Sequence, residues 1–240
     1  MNPRFIWAFA KFNGMSWILK APYAIVSNIV MPLSLLFIIE ILSGGRLLPF
    51  VVVGGIIAIV SAASLSNTGM SATYRLEFRI QELLVATKTS TLDYILGFAM
   101  SDLFFCLPGL AIFTALSVYL SLFTFARFAI TLIVIFMLAI AVASISVTVG
   151  TRIRRTIGMW SISGILSNLL SLIPPTFYPY TILPKPVLFL LALSPVTPAA
   201  VALQGAYGIG PVSGWALPLL ALESVFYLVV VSKLARWRDT

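Results

Sequence analysis

The sequence has no histidine, one cysteine and few charges: of 240 residues, 9% are Asp, Glu, Lys or Arg. Without histidine there is no Ser-His nucleophilic catalysis, no histidine zinc site and no histidine-ligated haem. A single Cys106 excludes an intramolecular disulfide framework, and its place within an apolar run reads as a buried structural thiol. Soluble domains carry about 25% charged residues. A chain that is 60% hydrophobic, with a mean hydropathy of +1.09, is outside that class.

What charge there is lies in a pattern. Twelve of the fifteen basic residues fall in four clusters: Arg4/Lys11/Lys20, Arg75/Arg79/Lys88, Arg152/Arg154/Arg155 and Lys233/Arg236/Arg238. Pairs of long apolar runs separate the clusters, and only Arg46, Arg127 and Lys185 lie in the alternate connections. Lys and Arg accumulate on the cytoplasmic side of membrane proteins, so the pattern predicts an even number of spans with both termini inside. It also excludes a nucleic-acid groove, which needs its charges on one continuous wet face.

A helix needs roughly 20 mostly apolar residues to cross the hydrocarbon core. Six segments approach that length: Tyr23–Leu42, Leu47–Ser71, Ile95–Tyr119, Phe128–Val149, Gly158–Ile173 and Trp215–Leu234. Lipid demands that backbone groups bond within the segment, so the expected fold is an all-α polytopic membrane protein, one domain over 1–240. Lys11 and Lys20 interrupt the early apolar stretch, and no cleavable signal is expected. Residues 1–20 place Phe5, Phe9 and Phe12 at helical spacing, with Trp17 further on and Arg4 and Lys11 on another face, the pattern of an interfacial helix.

Between the second and third spans, about Tyr74 to Tyr94, Leu76, Ile80, Leu83, Leu84 and Thr87 make one apolar stripe, and Arg75, Arg79 and Glu82 a charged one. The expected element is a short amphipathic helix, which either caps the bundle against lipid head groups or docks a cytosolic partner. The connection from Pro174 to Gly210 holds an apolar stretch, Val187–Leu193, too short to cross, broken afterwards by Pro195 and Pro198. It reads as re-entrant or interfacial helices, a plug or a gate at the outer mouth, with Tyr178, Tyr180 and Tyr207 suited to the interface.

Three acidic residues fall within spans: Glu40, Asp102 and Glu223. Such groups either lock helices together or couple transport to protons or cations. The second span carries Gly54, Gly55, Ser61, Ser64 and Asn67, and the fifth carries Ser161, Gly164, Asn168 and Ser171 on one face. Small and polar stripes of this kind are first of all packing seams. Pro32 and Pro108 are expected to kink the first and third spans.

The stretch Gln81–Gly97, "QELLVATKTSTLDYILG", resembles the coupling segment of type-2 ABC transporter permeases, the exporters of drugs, lipids and polysaccharides. Lys88 stands where that family usually has proline. The stretch Ile182–Pro198, "ILPKPVLFLLALSPVTP", resembles the family's signature before the last span, with Ser194 for the usual Asn and Gln204 where Arg is common. The interfacial helix, six spans and re-entrant pair match its overall plan. The resemblance implies a plasma-membrane permease subunit that is not an enzyme and holds no cofactor. The sequence has no G-x-x-x-x-G-K-[ST] loop, so ATP and Mg would be handled by a separate dimeric cytosolic ATPase. It further implies coupling through residues 75–90, with Arg75, Arg79, Glu82, Leu83, Leu84 and Lys88 on the docked element. A second copy or a paralogue would enclose a path or gate near Asn67, Ser161, Asn168, Glu223, Tyr178 and Pro195. The alternative is a stand-alone secondary transporter or channel using Glu223 and Asp102. A membrane enzyme is a third reading, and Asp102 has no aspartate partner in another span.

Overall fold

The fold is that of a computed structural model, which describes residues 2–20, 22–80, 89–153 and 155–234. Helix is the only regular secondary structure among them. Helix α1 is the run 3–20: it opens as Pro3–Ala10, passes through a π turn at Lys11–Met15 and closes as Ser16–Lys20. Then follow α2 (Pro22–Ser43), α3 (Leu48–Glu77), α4 (Thr91–Tyr119), α5 (Phe125–Ile153) and α6 (Thr156–Leu172). Two short helices, α7 (Lys185–Leu191) and α8 (Val196–Ala206), precede α9 (Ala216–Leu234).

All six segments expected as spans are helical. Three helices, α3, α4 and α5, are long and apolar enough to cross a membrane; the bent pair α7–α8 makes a fourth if taken as one span. Helix α6, and the stretches Asn28–Ser43 of α2 and Ala216–Val231 of α9, are shorter apolar helices. Helices α2 and α4 continue through Pro32 and Pro108.

Helix α3 is the hub. Its first part, Leu48–Ala63, is apolar on every side, and Val51 to Ser61 are all buried. Its neighbours approach through glycine: a Cβ on Gly54 would strike the Thr176 carbonyl, and one on Gly55 the Phe113 ring. The turn into α3 reverses the chain through Gly44 and Gly45, both with positive φ (59° and 84°), a conformation that is open to glycine at no steric cost.

One end of the bundle gathers the basic clusters. Phe9 of α1, Ala72 of α3, Tyr94 and Phe98 of α4, Val147 of α5 and Val231 of α9 form one buried cluster there. The chain near Arg4, Arg75, Arg152 and Lys233 therefore converges on the same end. At it, Asn2 N donates to Asp93 Oδ1 (2.9 Å), and Ser90 and Asp93 form a reciprocal cap on α4. Glu77 Oε2 accepts from Thr156 N (2.9 Å) and Thr156 Oγ1 (2.6 Å), so the last residue of α3 caps the first turn of α6.

Two expectations about this end need correction. The helix expected from Tyr74 to Tyr94 is not one element. Helix α3 ends at Glu77, and Arg79 has φ 56°, a left-handed conformation that no α-helix interior accommodates. Arg75 and Leu76 thus belong to the end of a long helix, which Arg79 does not continue. Residues 81–88, with Glu82, Leu83, Leu84, Thr87 and Lys88, lie outside the described residues. The α1 stripe is also split, because the π turn shifts the register: Phe9 is buried but Phe12 is 72% exposed.

Helix α1 seats on α4 through two glycines. A Cβ on Gly97 would sit 2.8 Å from Phe9 Cδ1, and one on Gly14 would meet the Ser101 carbonyl. Gly97→Leu should therefore cost about 1–3 kcal/mol by overpacking, read as easier unfolding in detergent. Gly164→Ala, with no neighbouring atom within 4 Å, should leave stability unchanged or raised.

Candidate functional site

Helices α2, α3, α4 and α6 do not close on one another. Between them lies a cavity of about 690 Å³, bordered by Asn28 and Pro32 of α2, Ser66 and Asn67 of α3, and Trp160, Ser161 and Asn168 of α6. A second cavity of about 250 Å³ adjoins it toward α1, bordered by Asn13, Ser71, Phe98, Ser101 and Asp102. The two share Ser66, Asn67, Phe105, Trp160 and Ser163 and form one groove. It reaches from Asn13 of α1 to Phe177 in the loop after α6.

A π turn at Ser64–Thr68 in α3 shapes the middle of this groove. The wider turn loosens the helix's own ladder, and a partner on α5 meets the change: Ser146 Oγ donates to the Leu65 carbonyl (2.7 Å). The turn puts Ser66 and Asn67 on the groove and Thr68 against α4, where its Oγ1 donates to Asp102 Oδ2 at 2.6 Å. π turns are over-represented at functional sites. Further along, Ser61 Oγ and Ser171 Oγ meet at 3.1 Å and tie α3 to α6.

Helix α6 presents the opposite wall. Ser161 and Asn168 are exposed, Gly164 between them faces open space, and the Trp160 ring is 74% exposed. The expected seam on this helix is thus unfilled in one copy of the chain. Of the residues expected at a path or gate, Asn67, Ser161 and Asn168 come together in the groove. The other three do not. Glu223 is buried on α9, away from both cavities, and its Oε2 has no hydrogen-bond partner among the described residues. Pro195 is buried at the corner where α7 and α8 meet at 117°. Tyr178 donates its hydroxyl to the Ile173 carbonyl (2.6 Å), and partial burial pushes its phenol above the ordinary range. Asp102 borders the smaller cavity, and Glu40 is exposed near the end of α2.

Arg75 faces inward. Its guanidinium carbon stands 4.5, 5.3 and 5.7 Å from the ring centroids of Phe9, Phe98 and Tyr94, and its Nη2 donates to Asn13 Oδ1 at 2.8 Å. A half-buried cation over several aromatic faces is worth on the order of 1 kcal/mol. The clamp fixes α1 to the ends of α3 and α4.

The far end has its own keystone, Gln204 of α8. Its Nε2 donates to the Pro175 (2.7 Å) and Tyr178 (3.0 Å) carbonyls, and its Oε1 accepts from Tyr180 N (3.1 Å). It holds the loop after α6 against the buried helix α8. From α5, Thr131 Oγ1 meets the Tyr207 hydroxyl at 3.0 Å, and from α9 the Tyr227 hydroxyl donates to the Leu193 carbonyl (2.8 Å). The position that resembles a family arginine therefore holds a side chain whose amide bonds inward. Sequence reading also missed Trp160, Asn28 and Ser66. Each is a polar or amphipathic residue inside an apolar run, which is the signal available for them.

No group of three or more His, Cys, Asp or Glu that could hold a metal ion occurs among the described residues. Gln204→Leu should leave two carbonyls and one N–H of the loop unpaired, at about 1–3 kcal/mol for each buried group left unmade. Hydrogen exchange over 174–180 should then accelerate, while the clamp around Arg75 stays protected. Compared with known family models and with curated proteins, the chain matches none.

Proposed function

We propose that this chain is the membrane-spanning permease subunit of an ATP-driven ABC exporter, working as a dimer with a separate cytosolic ATPase. The observation that carries the reading is the groove between α2, α3, α4 and α6, a space that sets Asn28, Asn67, Asn168 and several serines on a largely apolar lining. Buried polar surface in such a bundle is expensive, and a path for cargo explains why it is there. The unfilled wall of α6 supports a second copy or a paralogue completing the enclosure.

In this reading α2 to α6 and α9 all cross the plasma membrane. At 1.5 Å per residue, the 17 residues of α6 reach about 25 Å, enough for a thinned or tilted crossing. Helices α7 and α8 dip in from outside as a re-entrant pair, and the end that gathers the basic clusters is cytoplasmic with both termini. The ATPase docks beyond Arg79, on residues 80–90, and its closure on nucleotide pulls the end of α3. The clamp around Arg75 carries that motion to α1, and the capping by Glu77 carries it to α6. The groove then changes its access. ATP and Mg stay on the partner.

Co-purification from native membrane should yield a stoichiometric ATPase, and Glu82→Lys should abolish coupled transport while ATP turnover persists and the membrane fold survives. Transport by this chain alone in liposomes, driven by a proton gradient and lost in Glu223→Gln, would instead favour a secondary transporter using Glu223 and Asp102.

A further inference from the structure

We propose that the groove selects amphiphiles with a cationic head over those with an anionic head, and that Asp102 and the Trp160 ring read the charge. The inference rests on the transport reading for its purpose, but its chemistry stands on the lining alone.

Among the described residues bordering either cavity none is Lys or Arg, and Asp102 is the one that can carry a charge. The remaining polar lining consists of neutral amides and hydroxyls, which hydrogen-bond a head group of either sign and do not discriminate. Discrimination falls to two features. The carboxyl of Asp102 is set in place by Thr68 from the neighbouring helix. The Trp160 ring borders both cavities with 74% of its surface open, so a cation can lie against its face.

A cation beside Asp102 favours the ionised carboxylate, and an anion disfavours it. In a low-dielectric surround both effects are larger than in water. Arg75 does not offset this. It borders neither cavity: its guanidinium lies behind the lining, over the Phe98 ring and bonded to Asn13, so the groove meets a ring and an amide there rather than the cation. An anionic amphiphile would find no compensating charge along the lining and would place its head against a carboxyl.

Tetraphenylphosphonium and tetraphenylborate share one shape and differ in sign, which makes them the probes. Binding of each to the full chain in nanodiscs, corrected with empty nanodiscs, should favour the phosphonium. Asp102→Asn keeps an acceptor for Thr68 and should weaken phosphonium binding by about tenfold while leaving the borate unchanged or tighter. Trp160→Leu, at an exposed side chain whose loss does not threaten folding, should weaken the phosphonium severalfold and carries the test if Asp102→Asn does not fold. Equal binding of the two ions to the unaltered chain, or equal losses for both ions in either variant, would overturn the proposal. Failure to recover an ATPase partner would leave this result standing and remove only the exporter reading.

Discussion

Everything in this chain depends on one constraint: a polar group surrounded by apolar helices must find its partner inside the protein. The backbone meets it by being helical. The side chains meet it by reaching across helices: Ser146 to the Leu65 carbonyl, Thr73 to the Gly150 carbonyl, Ser224 to the Met137 carbonyl, Thr68 to Asp102. These bonds fix helix register at depths where apolar contacts alone are tolerant of sliding. In the groove Asn28, Asn67 and Asn168 lie together with no such bond across helices among the described residues, and for that reason it carries the functional argument.

The two ends of the bundle are built differently. At the basic end, the contacts are charged and aromatic: an arginine among three rings, an acidic cap on α4, and a glutamate joining α3 to α6. Strength there comes from a few specific groups, two of them, Arg75 and Glu77, at the end of α3. At the other end, Gln204 and the buried helix α8 hold the loop after α6 by neutral hydrogen bonds. In the proposed exporter, motion would travel along α3, the most buried of the three long apolar helices.

Much of this was legible in the sequence. Apolar run length located six of the helices, missing only the polar last turns of α3, because in lipid-like composition length and helicity are the same signal. Asn67, Ser161 and Asn168 stood out as polar residues in apolar runs, and they meet. The failures have physical causes. The element from Tyr74 to Tyr94 kept helical periodicity through Arg79, and periodicity is blind to one left-handed residue. Phe5, Phe9 and Phe12 share a face only if the helix is uniform, and the π turn at Lys11–Met15 turns Phe12 outward. Arg75 was read as surface charge because a sequence shows spacing along a helix, not the rings of Phe9, Tyr94 and Phe98 waiting on two others. Gln204 was noticed only as a departure from a family pattern; its role needed the loop carbonyls beside it.

The central claim is that α2, α3, α4 and α6 hold a groove that water and cargo enter, inside an otherwise apolar bundle. Cysteine accessibility tests it directly. The native thiol is buried, so a Cys106→Ala background is silent, and single cysteines can then be placed at Asn67, at Asn168 and at Ile133, which lies on the outward face of α5. With the chain in membrane vesicles, a water-soluble cationic methanethiosulfonate should label the cysteines at 67 and 168 and spare the one at 133. Labelling at 133 equal to that at 67 and 168, or no labelling at 67 and 168, would contradict the account.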